Sequence, residues 1–218
     1  MLCGHTELCD FAVNKWTERI LNRTANPILA MAVADKFGLP KLAGVSYYIT
    51  LLSCDQKLEW KADLFGSMAS DFEDTPTSDT GNQEDVPPRK LPELTASQKI
   101  RLLSGFFSLV QLWNHLAVTA PTFGRPDGCT YHAHGCLTTW KSTWFNVARS
   151  AAMMTFSPAD VVGRLKRMQE VMLADSEIAC ALTPSCRRAA MGCLKALIRS
   201  TKDELATHFV DLTRTECE

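Results

Sequence analysis

The chain has 218 residues, 46% of them hydrophobic, with 23 Lys and Arg against 24 Asp and Glu, a net charge of -1 and a pI near 6.5. That is enough apolar material for a sizeable buried core, and near-neutrality excludes a global attraction to nucleic acid or to an anionic bilayer. Nine cysteines, an odd number spread irregularly through a chain too long to need stapling, exclude a disulfide framework.

Charged residues recur through the first twenty positions (Glu7, Asp10, Lys15, Glu18, Arg19), so no apolar stretch there resembles a secretory signal. The expected location is intracellular, in cytoplasm or nucleus. Leu8, Ala12, Trp16 and Ile20 repeat every fourth residue and predict a first helix over Leu8 to Asn22. Asn26-Pro27, a cap residue followed by Pro at the first helical position, opens a second helix that stops at Gly38. Pro40 opens a third, to about Leu52.

Between Asp71 and Asp85 six acidic residues occur without a basic one, among Thr, Ser, Gly, Asn and Pro, and Pro87-Pro88 follows. Such a composition cannot offset the entropy of ordering it, and residues 71–93 are expected to form an acidic linker. It reads first as a passive solvated loop, the alternative being an acidic docking or phosphorylation segment. The linker divides the chain into N-terminal helices (1–70) and a larger C-terminal domain (94–218).

Thr95 and Gln98 have the spacing of a capping box and predict a helix from there to Val118. The stretch from Leu102 to Gly124 lacks Asp, Glu, Lys and Arg and is long enough to cross a bilayer. Ser104, Ser108, Gln111 and His115 nevertheless draw a polar stripe down one face, which makes it an amphipathic core helix. A fifth helix is predicted from Thr138 to Met154, with Trp140 and Trp144 at core positions. A sixth is predicted from the Ser157-Pro158-Ala159-Asp160 start, and a seventh from Thr183-Pro184 to about Phe209 with Cys186, Ala190, Cys193 and Leu197 on one stripe. No segment alternates long enough for a convincing strand. The expected fold is all-α, an irregular bundle of about seven helices with a long acidic loop.

One constellation carries chemistry. Cys129, His132, His134 and Cys136 fall within one Gly-bounded segment, and Cys180 and Cys186 offer remote thiols. Structural zinc sites commonly draw two donors from a tight local turn and two from a distant element, so these six residues are the candidate ligands of a possible structural zinc, against the alternative that Cys129 and Cys136 are small buried hydrophobes and the histidines loop residues. A thiolate at Cys186 would gain from the helix N-terminus. A catalytic zinc using His132 and His134 needs a nearby acid, yet Gly135, Cys136 and Leu137 follow and the nearest downstream acid is Asp160. No glycine-rich phosphate loop or nucleophile elbow is present. No catalytic residue is expected, nor any cofactor besides that zinc.

Ile28 to Leu42, with its Ala34-Asp35-Lys36-Phe37 turn, resembles the helix pair that closes a BTB (POZ) domain. The stretch from Leu94 to Leu212 resembles the C-terminal region of BTB proteins of basidiomycete fungi, through the Cys/His loop, the Trp140 and Trp144 helix, Ala159-Asp160-Val161-Val162-Gly163-Arg164-Leu165, Leu182-Thr183-Pro184-Ser185-Cys186-Arg187 and His208-Phe209-Val210-Asp211-Leu212. Together they cover about two thirds of the chain. The strand-rich segment that precedes the helix pair in a BTB domain has no counterpart before Ala25, and Thr183-x-x-Cys186 stands where family members often have Cys-x-x-Cys.

The resemblance implies a non-enzymatic interaction or adaptor module. Its partners are expected to be other proteins, with a possible oligomer through the N-terminal helices, no membrane and no nucleic acid. It also implies an exposed apolar patch over Ile28 to Leu52, where the strands would pack. Two alternatives remain: a zinc-dependent hydrolase using the His132/His134 loop, and a zinc-stabilised nucleic-acid-binding regulator, which requires Arg164, Arg167, Arg187 and Arg188 on one surface.

Overall fold

In a computed structural model, the backbone of residues 3–57 and 94–211 is described, with side chains over 7–54 and 94–211. The acidic linker expected at 71–93, and the end of the N-terminal unit, lie outside the described residues. These fold into α1 (Cys3–Leu21), α2 (Pro27–Phe37), α3 (Pro40–Lys57), α4 (Ala96–Val118), a π-helical turn (His132–Cys136), α5 (Leu137–Ala148), α6 (Ala151–Met154), α7 (Val161–Ala174), α8 (Ser176–Ala181), α9 (Pro184–Asp203) and α10 (Leu205–His208). The fold is all-α, and no strand occurs among the described residues. All seven expected helices are present. Two of them break, at Arg149-Ser150 and at Glu204, and α8 is an addition, which brings the number of α-helices described to ten.

The caps explain most boundaries. The Asn26 side chain accepts from the N–H groups of Ile28 and Leu29, and Gly38 ends α2 at φ 61, a left-handed backbone that glycine adopts without strain. Thr95 and Gln98 close a reciprocal capping box at α4. At α7 the cap is three residues later than expected. Ser157 Oγ only turns the chain, accepting from Ala159 N–H, while the Asp160 carboxylate accepts from Gly163 N–H at 2.7 Å and starts the helix. A carboxylate is the stronger acceptor, and a second donor holds it there.

That donor is Tyr48. Its buried hydroxyl donates to Asp160 and accepts from Val162 N–H at 3.3 Å, tying α3 to the start of α7. Burial, with the Asp160 charge, raises the phenol well above its usual pKa, so it remains a donor. The Asp35 carboxylate makes a similar knot, accepting from Tyr47 (2.8 Å), Gln98 (3.0 Å) and Arg101 (2.9 Å) to join α2, α3 and α4. Tyr48→Phe removes the donor to Asp160 and leaves Val162 N–H without its acceptor. Urea unfolding is expected to show a loss of about 1–3 kcal/mol.

Helix α3 is the centre of the molecule. Leu42, Val45, Tyr47, Tyr48, Ile49, Leu51 and Leu52 are buried, and α3 packs against α1, α2, α4 and α10. The exposed patch expected over Ile28 to Leu52 is therefore absent from α3, because the chain's own helices cover it. Only Leu29 and Phe37, both on α2, are large exposed apolar residues in that stretch.

The buried face of α4 is Leu102, Gly105, Leu109, Trp113 and Leu116. In the polar stripe opposite, Gln111 and His115 meet solvent, whereas Ser104 and Ser108 turn to α10, Ser108 Oγ lying 2.8 Å from His208 Nδ1. No described helix is long and apolar enough to cross a membrane.

The short α10 and the residues after it close the fold. Leu205 and Phe209 are buried, and Phe209 stacks on Tyr47 with ring centroids 5.4 Å apart. Two glycines make room: the α10 backbone lies directly on Gly44 of α3, and the Phe209 ring lies on Gly105 of α4. Ser97 then donates to Asp211, pinning the segment to the first turn of α4.

Candidate metal centre

The loop between α4 and the π turn is anchored by tryptophan. Trp144 Nε1 donates to Leu116 O at 2.7 Å and Trp140 Nε1 to Pro121 O at 2.9 Å. Both indoles are buried, as expected of core residues. Phe123 then places its ring edgewise against Trp140 (6.0 Å) and against His132 (5.2 Å). Gly128 turns the chain at φ 75, and Arg125 Nε holds the result by donating to Cys129 O at 2.7 Å.

The next turn is wound more widely than an α-helix. Cys136 N–H bonds to Tyr131 O at 3.3 Å, and Leu137 N–H to His132 O. Such π turns admit an extra residue at a helix and re-aim its side chains. Here His132 and Cys136 point inward while His134 faces solvent. Gly135 lies under the exposed Tyr131 ring, which fills the space a Cβ would take.

The opposite wall is the start of α9. Thr183 caps the helix, its hydroxyl accepting from Cys186 N–H at 3.3 Å, and places Cys186 in the first turn, fully buried. The same hydroxyl donates towards Cys129 Sγ at 3.7 Å. Three soft donors converge as a result, with the Cys136 thiol beside one of them. Cys186 Sγ lies 3.5 Å from Cys129 Sγ and 3.3 Å from His132 Nδ1, and Cys129 Sγ lies 3.9 Å from Cys136 Sγ. Cys129, His132 and Cys186 offer ligand atoms all within 4.8 Å of one another, close enough to hold a metal ion.

The electrostatics are lopsided. Burial pushes the Cys186 thiol up to about 11, with the Cys129 and Cys136 thiols adding to it. Burial also works against a thiolate at Cys129. There the hydrogen bonds from Thr183 and Cys186, the backbone at Tyr131 and Cys136 outweigh it and hold the thiol below its ordinary value. Cys186 thus donates and Cys129 accepts, and a bound cation would turn every thiol that ligates it into a thiolate.

Of the six candidate ligands, the fold brings Cys129, His132 and Cys186 within metal-holding distance of one another, and places Cys136 beside Cys129, sulfur to sulfur 3.9 Å. His134 is exposed on the π turn and Cys180 is exposed on α8, and neither joins the group. No carboxylate joins it among the described residues. Sequence reasoning misses the support from Phe123, Arg125 and Thr183, although the Thr183-Pro184 cap marks one of the three.

The basic cluster does not form one surface. Arg164 is buried, its guanidinium 4.8 Å from the Trp113 ring centroid and donating to Phe156 O, while Arg167 pairs with Glu170. No family model, no curated protein and no solved structure matches this chain.

Proposed function

We propose that this chain is a non-enzymatic protein-interaction module whose helical scaffold is stapled by one structural zinc ion on Cys129, His132, Cys136 and Cys186. The observation that carries the reading is the spacing of the donors. A tetrahedral zinc with Zn–S near 2.3 Å and Zn–N near 2.0–2.1 Å sets thiolates about 3.8 Å apart, and a thiolate about 3.6 Å from an imidazole nitrogen. Three of the six edges, 3.5 and 3.9 Å between sulfurs and 3.3 Å from sulfur to nitrogen, lie within a few tenths of an ångström of those values, and Cys136, next to Cys129 but outside the tight Cys129, His132, Cys186 group, would move onto the ion. All four residues are buried, and with the Cys136 thiol closing on the ion as fourth ligand the set would be the closed, all-protein arrangement of structural sites. The outward turn of His134 separates the histidine pair that a hydrolase would need.

The staple would join the loop after α4, the entry of α5 and the start of α9. Thr183 and Arg125 are the outer residues that orient it, one through a sulfur and one through a backbone carbonyl. The adaptor role rests on the resemblance to the C-terminal region of fungal BTB proteins, and capped, tightly packed helices without an assembled catalytic group suit it.

Metal analysis of protein purified without chelator tests the centre, with one zinc per chain expected. His134→Ala and Cys180→Ala are expected to keep that stoichiometry, and His132→Ala to lose it. Equal loss in all three variants would overturn the ligand assignment. Affinity purification on the tagged full chain tests the adaptor role, which predicts recovery of a defined protein partner.

A further inference from the structure

The near-neutral net charge conceals a polarised chain. Residues 3–57 and 94–211 carry 19 Lys and Arg against 13 Asp and Glu, and the rest of the sequence carries 4 against 11. The positive excess is not spread evenly. On α9, Arg188, Lys195, Arg199 and Lys202 follow one another at intervals of seven, four and three residues. At 3.6 residues per turn they fall within an arc of about 60° and span about 21 Å. Arg188, Lys195 and Arg199 are exposed, and Lys202, one turn from buried Ile198 at the edge of the packed face, is partly so.

Helix α7, packed on α9, adds exposed Lys166. Lys202 is held below its ordinary pKa first by burial and then by repulsion from Lys166, so charges from the two helices converge. The nearby acids do little to neutralise them. Glu170 is occupied by Arg167, and Asp203 stands beside Lys202. None of the five cations has an ion-pair partner among the described residues.

We propose that this face of α7 and α9 is a docking surface for a carboxylate-rich polypeptide, and that its occupant is the chain's own acidic run, residues 71–85. Charge complementarity is the first argument: six carboxylates without a basic residue match five unpaired cations. Reach is the second. Asp85 stands nine positions before Leu94, and Lys202 nine positions before Asp211, which bonds to Ser97 in the first turn of α4. Either stretch extends to about 32 Å at most, so the Lys202 end of the stripe is accessible to the run. Tethering gives the run an effective concentration in the millimolar range, enough to favour pairs that are individually weak. Nucleic acid is the less suitable occupant, because Leu173 is the only large exposed apolar residue described on α7 and α9 and no exposed aromatic ring is described there to stack a base.

Carbodiimide, which joins a lysine amine to a carboxylate in contact, tests it on dilute full-length chain with readout by peptide mass spectrometry. Cross-links from Lys166, Lys195 or Lys202 to acids within 71–85 are expected, falling at least about fivefold near 0.5 M salt, where the Debye length shrinks to roughly 4 Å. Links confined to neighbours such as Asp203 would overturn the proposal. A second measurement neutralises the run (D71N, E73Q, D74N, D79N, E84Q, D85N) and compares affinity for a short duplex DNA as a polyanion probe. Uncovering the face is expected to strengthen binding about tenfold or more at low salt. Affinity unchanged by neutralisation would overturn the proposal, and equally tight binding by the native chain would assign the face to nucleic acid instead.

Discussion

Cys186→Ala is expected to abolish metal binding and to lower stability by about 4 kcal/mol, or roughly 8–16 °C in Tm for a chain of this size. Two losses combine. The substitution removes the only ligand contributed by α9, so the start of that helix is no longer tied to the loop after α4. It also empties a fully buried position beside Cys129 and His132. Zinc content and thermal melting, each with and without a chelator, measure the two parts separately. If Cys186→Ala does not fold, His132→Cys serves in its place. It keeps four soft donors and is expected to retain zinc, whereas His132→Ala is not. Native protein that melts at the same temperature with and without chelator, and carries no zinc, would leave the four residues as a buried cluster of thiols and imidazole.

Gly44→Ala is expected to be the most damaging conservative change outside the metal centre. A Cβ at residue 44 would sit 2.5 Å from Ala206 N and 2.9 Å from Ala206 Cα. These are backbone atoms and cannot rotate aside, so α10 must lift from α3. That shift disturbs the stack of Phe209 on Tyr47 and the contact of its ring with Gly105. Alanine recovers up to about 1 kcal/mol of helix propensity, while overpacking costs about 1–3 kcal/mol and at times more. A net loss of about 2 kcal/mol or more is expected. Gly192→Ala is the control. Gly192 lies on the exposed side of α9, where an added Cβ would meet nothing within 4 Å, and there the same change is expected to stabilise by about 0.5–1 kcal/mol. Urea unfolding of both variants gives the difference. Equal effects at the two positions would show that α10 is not seated as described.

The helices were legible because their signals are local. Asn26-Pro27, Thr95 with Gln98, and Thr183-Pro184 each state a start within four residues, and each is a cap in the folded chain. The shifted start of α7 shows the limit. Ser157-Pro158 is a valid cap in isolation, and Asp160 prevails because Tyr48, over a hundred residues earlier, contributes a hydrogen bond that no local window contains. The breaks at Arg149-Ser150 and Glu204 leave no comparable mark, because the apolar pattern continues across both.

For the candidate centre, spacing marked the Cys129 to Cys136 segment and the remote thiols, but it could not choose among six ligands. The choice depends on the π turn, which sends His132 inward and His134 outward although they are two residues apart. It also depends on Thr183, whose cap sets the rotation of α9 and so buries Cys186, while Cys180 on the separate α8 stays exposed.

The seat of α10 also bears on biosynthesis. Its contact with Gly44 joins residues separated by about 160 positions, a stretch that takes roughly 8–30 s to synthesise at 5–20 residues per second. Throughout that interval the flank of α3 that receives Ala206 and Phe209 has no native cover, although α1 and α2 have already emerged to pack its other sides. Helix α3 therefore passes through a period as an apolar surface open to chaperones or to neighbouring nascent chains, and the arrival of residues 205–211 ends it.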